Sequence, residues 1–184
     1  MQHLGTQKLE TERLVLRKLT SDDAEAMYHK WASDPEVTEY LTWPPHGSLE
    51  VTRQLIGHWT EEYKKYDFYQ WAIVPKELNA PVGTISVVDA DDSVGMVHIG
   101  YCIGKAWWGK GYTTEAFGRL IRFFFEDVGL NRIETKHDTR NPGSGRVMEK
   151  CGLLYEGTTR QSDRNNQGIC DSALYGIVRR DYYK

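Results

Sequence analysis

Between Val94 and Val128 the chain reads VGMVHIGYCIGKAWWGKGYTTEAFGRLIRFFFEDV, and its hydrophobic period changes partway along. That change limits the possible folds more than any other feature. Val97, Ile99, Tyr101 and Ile103 alternate with Met96, His98, Gly100 and Cys102, the period of a strand. From Ala116 onward the spacing becomes helical. Ala116, Leu120, Phe124 and Val128 fall on one line, Phe117, Ile121 and Phe125 on the next, and Arg119, Arg122 and Glu126 lie outside this stripe. Gly129 reads as the C-terminal stop. Between strand and helix stand Gly104, Gly109 and Gly111. Glycine allows a sharp turn and close approach to a ligand. The free N–H groups that open the helix, with the helix dipole behind them, make a site for an anion such as phosphate.

A length of 184 residues with 40% hydrophobic content predicts one domain, residues 1–184, with a full core. The formal charge of -3 offers no basic stripe for a nucleic-acid backbone and is better suited to a cationic substrate. Three cysteines, Cys102, Cys151 and Cys170, form no C-x-x-C pair, so neither a disulfide framework nor a zinc site is expected. His3, His29, His46, His58 and His137 show no metal-ligand spacing. The opening MQHLGTQKLETERL lacks an apolar signal core and no run reaches membrane-spanning length, which predicts a cytoplasmic protein without membrane partners. Whether two copies pair as a homodimer is open at this level.

Along the chain, residues 12–19 read as a first strand, with Leu14 and Leu16 facing inward. A helix is expected over residues 22–32, with Thr20 or Ser21 as cap and Asp34-Pro35 as stop. Residues 37–41 begin a second helical piece, broken by Trp43-Pro44-Pro45-His46-Gly47, where Tyr40 and Trp43 are candidates for a substrate wall. Residues 48–66 form a long helix, 69–74 and 82–88 neighbouring strands, and 89–93 a polar hairpin. After the central helix come a strand at 132–137 and a helix capped by Asn141, with Pro142 at its first position and Gly152 at its end. Gly143 and Gly145 each cost that helix about a kcal/mol relative to alanine, so close approach is expected there. Strands at 153–160 and 169–178 close the chain around a turn at 163–168.

Two phosphate motifs compete for the glycine turn. GKAWWGK matches seven positions of G-x-x-x-x-G-K-[ST], but Gly111 stands where a hydroxyl must meet magnesium, and Thr113 comes two residues late. WWGKGYTTEA, in contrast, resembles motif A of the GCN5-related N-acetyltransferases, Arg/Gln-x-x-Gly-x-Gly/Ala. Gly109 and Gly111 match it. Ala106 replaces the expected Arg or Gln, which removes a side-chain contact and keeps the amide cradle. The segment from Asn141 to Leu153 resembles motif B of the same family, N-x-x-S-x-x-V-x-E-K-x-G. The opening TERLVLRKLTSDDAEAMYHKWASDPEV and the run HIGYCIGKAWWGKGY resemble the subgroup holding the bacterial Rim-type ribosomal-protein N-terminal acetyltransferases.

The resemblance implies an α/β (α+β) fold, a mixed, mostly antiparallel sheet flanked by helices and splayed between its fourth and fifth strands. Acetyl-CoA is then the co-substrate, with no metal. By position, the backbone of Trp108, Gly109, Lys110, Gly111, Tyr112, Thr113 and Thr114 holds the pyrophosphate. Ile103 pairs with the pantetheine, Asn141 hydrogen-bonds that arm, and Trp107 and Trp108 flank the cofactor. His98 replaces a glutamate common before Ile-Gly-Tyr and is the candidate base. Met148 replaces the tyrosine that protonates the departing thiolate, which leaves Ser144 as candidate acid. The expected activity is acetyl transfer to an amine, foremost a protein N-terminal α-amine. Acetylation of a polyamine, aminosugar or amino-acid conjugate, acyl-CoA sensing without turnover, and magnesium-dependent nucleotide hydrolysis are the alternatives.

Overall fold

The computed structural model describes residues 2–184. Its eight strands form one sheet in the order β1-β2-β3-β4-β5-β6-β8-β7. The strands are β1 Leu9–Glu10, β2 Leu14–Arg17, β3 Gln70–Pro75, β4 Gly83–Asp91, β5 Met96–Ile103, β6 Arg132–Asp138, β7 Leu154–Asn165 and β8 Gly168–Val178. All neighbours are antiparallel except β5 and β6. Those two run parallel for only three register pairs, Met96 with Arg132, Val97 with Ile133 and His98 with Glu134. Beyond His98 the ladder stops, and the buried Thr135 hydroxyl donates to the Ile99 carbonyl at 2.8 Å. A side chain thus satisfies the carbonyl at the point where backbone pairing ends, which lets the sheet fork without leaving a buried acceptor unpaired. With β1 added at the edge, this fork lies between what the sequence numbers as the fourth and fifth strands.

Helix α4, Tyr112–Arg122, lies on one face of the sheet and widens into a π-helical segment, Phe123–Val128. The sequence predicts one uniform stripe. The wider turn instead buries Phe123, Phe124 and Phe125 together, which an ordinary helical period would spread around the axis. Phe123 and Phe124 meet Tyr69 and Trp71 edge-on at 5.2 to 6.3 Å between ring centres, the arrangement favoured by aromatic quadrupoles. Gly129 ends the helix in the left-handed conformation, φ +79°.

On the other face, α1 (Ala24–Met27, continued by a π-helical turn, Tyr28–Ala32) and α3 (Leu49–Glu62) pack Met27, Trp31 and Ile56 against Ala72 and Val74. Asp34-Pro35 does more than end a helix. Asp34 accepts from Glu36 N–H at 2.9 Å and caps the short α2, Pro35–Thr38, which therefore starts two residues earlier than the sequence indicates. Helix α3 stops at Glu62, short of the expected Tyr66. Strands β4 and β7 run longer than expected, so the last turn tightens to Asn166 and Gln167. β1 and a terminal α6, Arg179–Tyr182, have no counterpart in the sequence reading; each is too short to carry a period.

Helix α5, Pro142–Lys150, begins beside the fork. Asn141 caps it, accepting from Ser144 N–H at 3.3 Å. Of its two costly glycines only Gly145 is sterically required. A Cβ there would stand 2.7 Å from the His137 ring, whereas one at Gly143 would meet nothing closer than 3.5 Å.

Candidate active site

The fork opens into two cavities. The narrower, of about 460 Å³, lies against the start of α4. Its shape follows from Gly109 (φ +74°) and Gly111 (φ +78°), both in the left-handed region where side chains are strained. Intrahelical bonding in α4 begins with Glu115 N–H donating to the Gly111 carbonyl at 3.0 Å. The amides of Tyr112, Thr113 and Thr114 therefore precede the first helical bond and, with the dipole, form an anion cradle. Arg13 braces the loop from outside. It stacks on Tyr112, donates to the Lys110 carbonyl at 3.0 Å and pairs with Glu115 at 2.6 Å. The sequence gives no sign of this brace, because its partners lie about a hundred residues away.

Of the expected cofactor residues, Ile103, Trp108, Gly109, Gly111, Tyr112, Thr113, Thr114 and Asn141 line this cavity, and Lys110 does not. The Ile103 carbonyl accepts the Trp108 indole N–H at 2.9 Å, so one of its two lone pairs is already in use. Trp107 lines the same cavity as Trp108 but is held differently. It packs onto the core with the Lys30 ammonium 5.5 Å from its ring. Lys105 and Lys110, the lysines of the competing phosphate motif, are exposed, and Lys105 pairs with Glu36.

The wider cavity, of about 950 Å³, lies on the opposite side of β5, under the loop of Tyr40, Trp43, Pro44, Pro45 and His46. The two share Tyr40, Leu41, Tyr101, Cys102, Asn141 and Ser144. They thus meet where β5 has left β6 and α5 begins.

His98 lines the wider cavity. Its side chain is 13% exposed, and burial pushes its pKa down despite the neighbouring Glu134 carboxylate, so the imidazole is neutral at pH 7. Ser144 Oγ is 2.9 Å from Tyr101 Oη, and the phenol also bonds the Ser144 carbonyl at 3.0 Å. Burial pushes the Tyr101 phenol far up, so it stays protonated. In the sequence Tyr101 is one more inward residue of an alternating strand, and nothing local marks its bond to Ser144. Met148 is buried in the core and has no proton to give. Cys102 is held as a thiol by burial, with Thr84 Oγ1 3.4 Å from its sulfur, so it is a poor nucleophile.

The far wall is polar. Asp138, whose carboxylate is 1% exposed, accepts from Arg140 at 2.6 Å and Asn165 at 2.7 Å, and these partners hold its pKa well below the usual range. Asn166, at the β7–β8 turn, donates its side-chain amide to the carbonyls of Thr38 and Trp43, each at 2.8 Å, and its N–H to Leu41 at 3.1 Å. This strap ties the hairpin to the Tyr40–Trp43 loop across more than 120 residues of sequence.

The family model for the acetyltransferase (GNAT) domain matches residues 13–154. The uncharacterized N-acetyltransferase p20 of Bacillus licheniformis is 32% identical over 174 residues, covering 95% of this chain and 97% of its own. Among solved structures, ribosomal-protein-S5-alanine acetyltransferase from Vibrio fischeri superposes with a TM-score of 0.82 at 22% identity, covering 96% and 98% of the two chains. The microcin C7 self-immunity acetyltransferase MccE, in complex with acetyl-CoA and AMP, gives 0.81 at 22%, covering 91% and 93%. These two likenesses concern the fold. The chain belongs to the GNAT family of acetyltransferases. It is an acetyl-CoA-dependent N-acetyltransferase, and no helix among its described residues is long and apolar enough to cross a membrane.

Proposed function

We propose that this chain, acting as a single domain, moves the acetyl group of acetyl-CoA directly onto the α-amine of a protein N-terminus. The α4 amide cradle holds the pyrophosphate of acetyl-CoA, and Asn141, whose Oδ1 caps α5, offers its amide N–H to the pantetheine arm. The amine enters the wider cavity, its nitrogen bonds to the acetyl carbon, and the carbon–sulfur bond breaks. His98 takes the proton released by the amine. Ser144, backed by Tyr101, donates a hydrogen bond to the departing sulfur. The observation that carries this reading is the meeting of two cavities at Tyr101, Asn141 and Ser144, one with an anion cradle and one with a neutral histidine.

Acid–base chemistry favours an α-amine. With a pKa near 8 it is about one-tenth neutral at pH 7, whereas a lysine-like amine near 10.4 is deprotonated a few hundred times less often. A histidine with a depressed pKa is a weak base suited to the first. The wider cavity has room for several residues of an extended peptide, and the resemblance to the Rim-type enzymes points the same way. A small amine is the second reading, favoured by the Asn166 strap, which closes the cavity on one side.

The test is thiol release from acetyl-CoA with three acceptor sets: ribosomal-protein N-terminal peptides, polyamines, and aminosugars or amino-acid conjugates. Turnover with peptides that stops when the α-amine is already acetylated supports the proposal. Turnover confined to small amines replaces the acceptor, and stoichiometric binding without turnover makes the chain an acyl-CoA sensor.

A further inference from the structure

His98 and Glu134 form the last register pair before the fork, so they stand side by side on β5 and β6 where the wider cavity opens. His98 Nδ1 is 3.5 Å from Glu134 Oε1. The second oxygen of Glu134 accepts from Arg132 Nε at 3.1 Å, and the remaining edge of that guanidinium grips Glu156 with contacts of 2.9 and 2.5 Å. Gly176 on β8, the cross-strand partner of Glu134, makes room for this arrangement. Any Cβ there would lie 2.7 Å from both the Arg132 guanidinium and the Glu156 carboxylate. Glu134 and Arg132 on β6 and Glu156 on β7 thus form one chain of charged contacts that ends on the imidazole Nδ1, with Gly176 on β8 leaving space for it.

We propose that Glu134 is the positioning residue for the base of this acetyltransferase, a role that rests on the assignment of His98 above. A carboxylate beside Nδ1 fixes the tautomer with the proton on Nδ1 and leaves the Nε2 lone pair for the acceptor amine. As His98 gains its proton, the pair becomes charge-assisted and shortens. Arg132 keeps Glu134 aimed, and Glu156 keeps Arg132 from swinging out to solvent. The other charged groups around His98 are Asp89, its cross-strand partner on β4, and Lys136 on β6, which is itself paired with Asp163 at 2.7 Å.

The sign of each change follows from charge. Glu134→Gln removes stabilisation of the imidazolium and lowers the His98 pKa. Arg132→Gln removes a nearby positive charge and raises it. The experiment is an NMR titration of the His98 Cε1–H resonance, identified by its loss in His98→Ala, together with steady-state rates at saturating substrates. The expected result for Glu134→Gln is a titration midpoint about half a unit to one unit lower, on the scale of a single neighbouring charge. Its kcat should fall about tenfold with the KM for acetyl-CoA unchanged, as for partial loss of a general base. Arg132→Gln should move the midpoint upward. A merely structural role for Glu134 would lower the rate and leave the midpoint in place. An unmoved midpoint in Glu134→Gln, or a downward shift in both variants, overturns the proposal even if His98→Ala is inactive. A His98→Ala enzyme with wild-type turnover removes the base assignment itself and this proposal with it.

Discussion

The two cavities that meet at Ser144 are built from different materials. The narrower cavity, proposed for the cofactor, is made by backbone: two left-handed glycines, a helix start and a row of amides that no side-chain change can remove. The wider cavity, proposed for the acceptor, is made by side chains drawn from six strands, three helices and a loop, held by Asn165, Asn166, Asp138 and Arg140. The difference is one of tolerance: a backbone cradle keeps its donors whatever side chains surround it, while a wall of side chains can be rebuilt for a new acceptor without disturbing the cradle.

If that division holds, the largest single effect falls on the cofactor side. Gly111→Glu combines a left-handed φ with a carboxylate facing the pyrophosphate, and acetyl-CoA affinity by calorimetry should drop more than about a hundredfold. Gly109→Glu should do the same; because a Cβ there meets nothing within 4 Å, its effect is charge and φ without crowding. Unchanged affinity in both would remove the cradle assignment. Next comes His98→Ala, expected to lower kcat about a hundredfold while the KM for acetyl-CoA stays within about twofold. The rate of the wild type should rise with pH through the depressed His98 pKa and that limb should vanish in the variant; a wild-type rate from pH 6 to 9 would contradict the base role.

Smaller effects sharpen the boundary between the cavities. Tyr101→Phe keeps the ring and removes both contacts of the phenol with Ser144, of which only that to Oγ bears on the reaction, so kcat should fall about three- to tenfold, the worth of one neutral hydrogen bond. Asn166→Ala opens the strap. Because the lost amide holds Trp43, which lines only the wider cavity, the change should alter the acceptor KM by about twofold to tenfold and leave acetyl-CoA binding untouched. A change in acetyl-CoA affinity in Asn166→Ala would show that the two sides are not independent.

The same division explains what could be read from the chain. Alternation over β5, the stripe on α4, the Asn141 cap and the glycine turn are local patterns, and each appears in the structure within a few residues of its expected bounds. Glu134 beside His98, Arg13 beneath the glycine loop and Asn166 across the cavity leave no local trace, since each meets its partner only after the sheet has assembled. Gly145 is intermediate. Its cost to the helix was legible, but the His137 ring that requires it was not. The π-helical widening at Phe123–Val128 was hidden for a related reason: three consecutive phenylalanines have no preferred period, and tertiary packing chose one.

The central claim is that both substrates occupy the fork together and that Cys102, although it lines both cavities, is a bystander. Initial velocities measured while varying acetyl-CoA and an acceptor peptide test this most directly. The account predicts intersecting double-reciprocal lines, undiminished activity in Cys102→Ser and no acetyl group left on the protein. Parallel lines, with acetyl recovered on Cys102 by mass spectrometry, would contradict it.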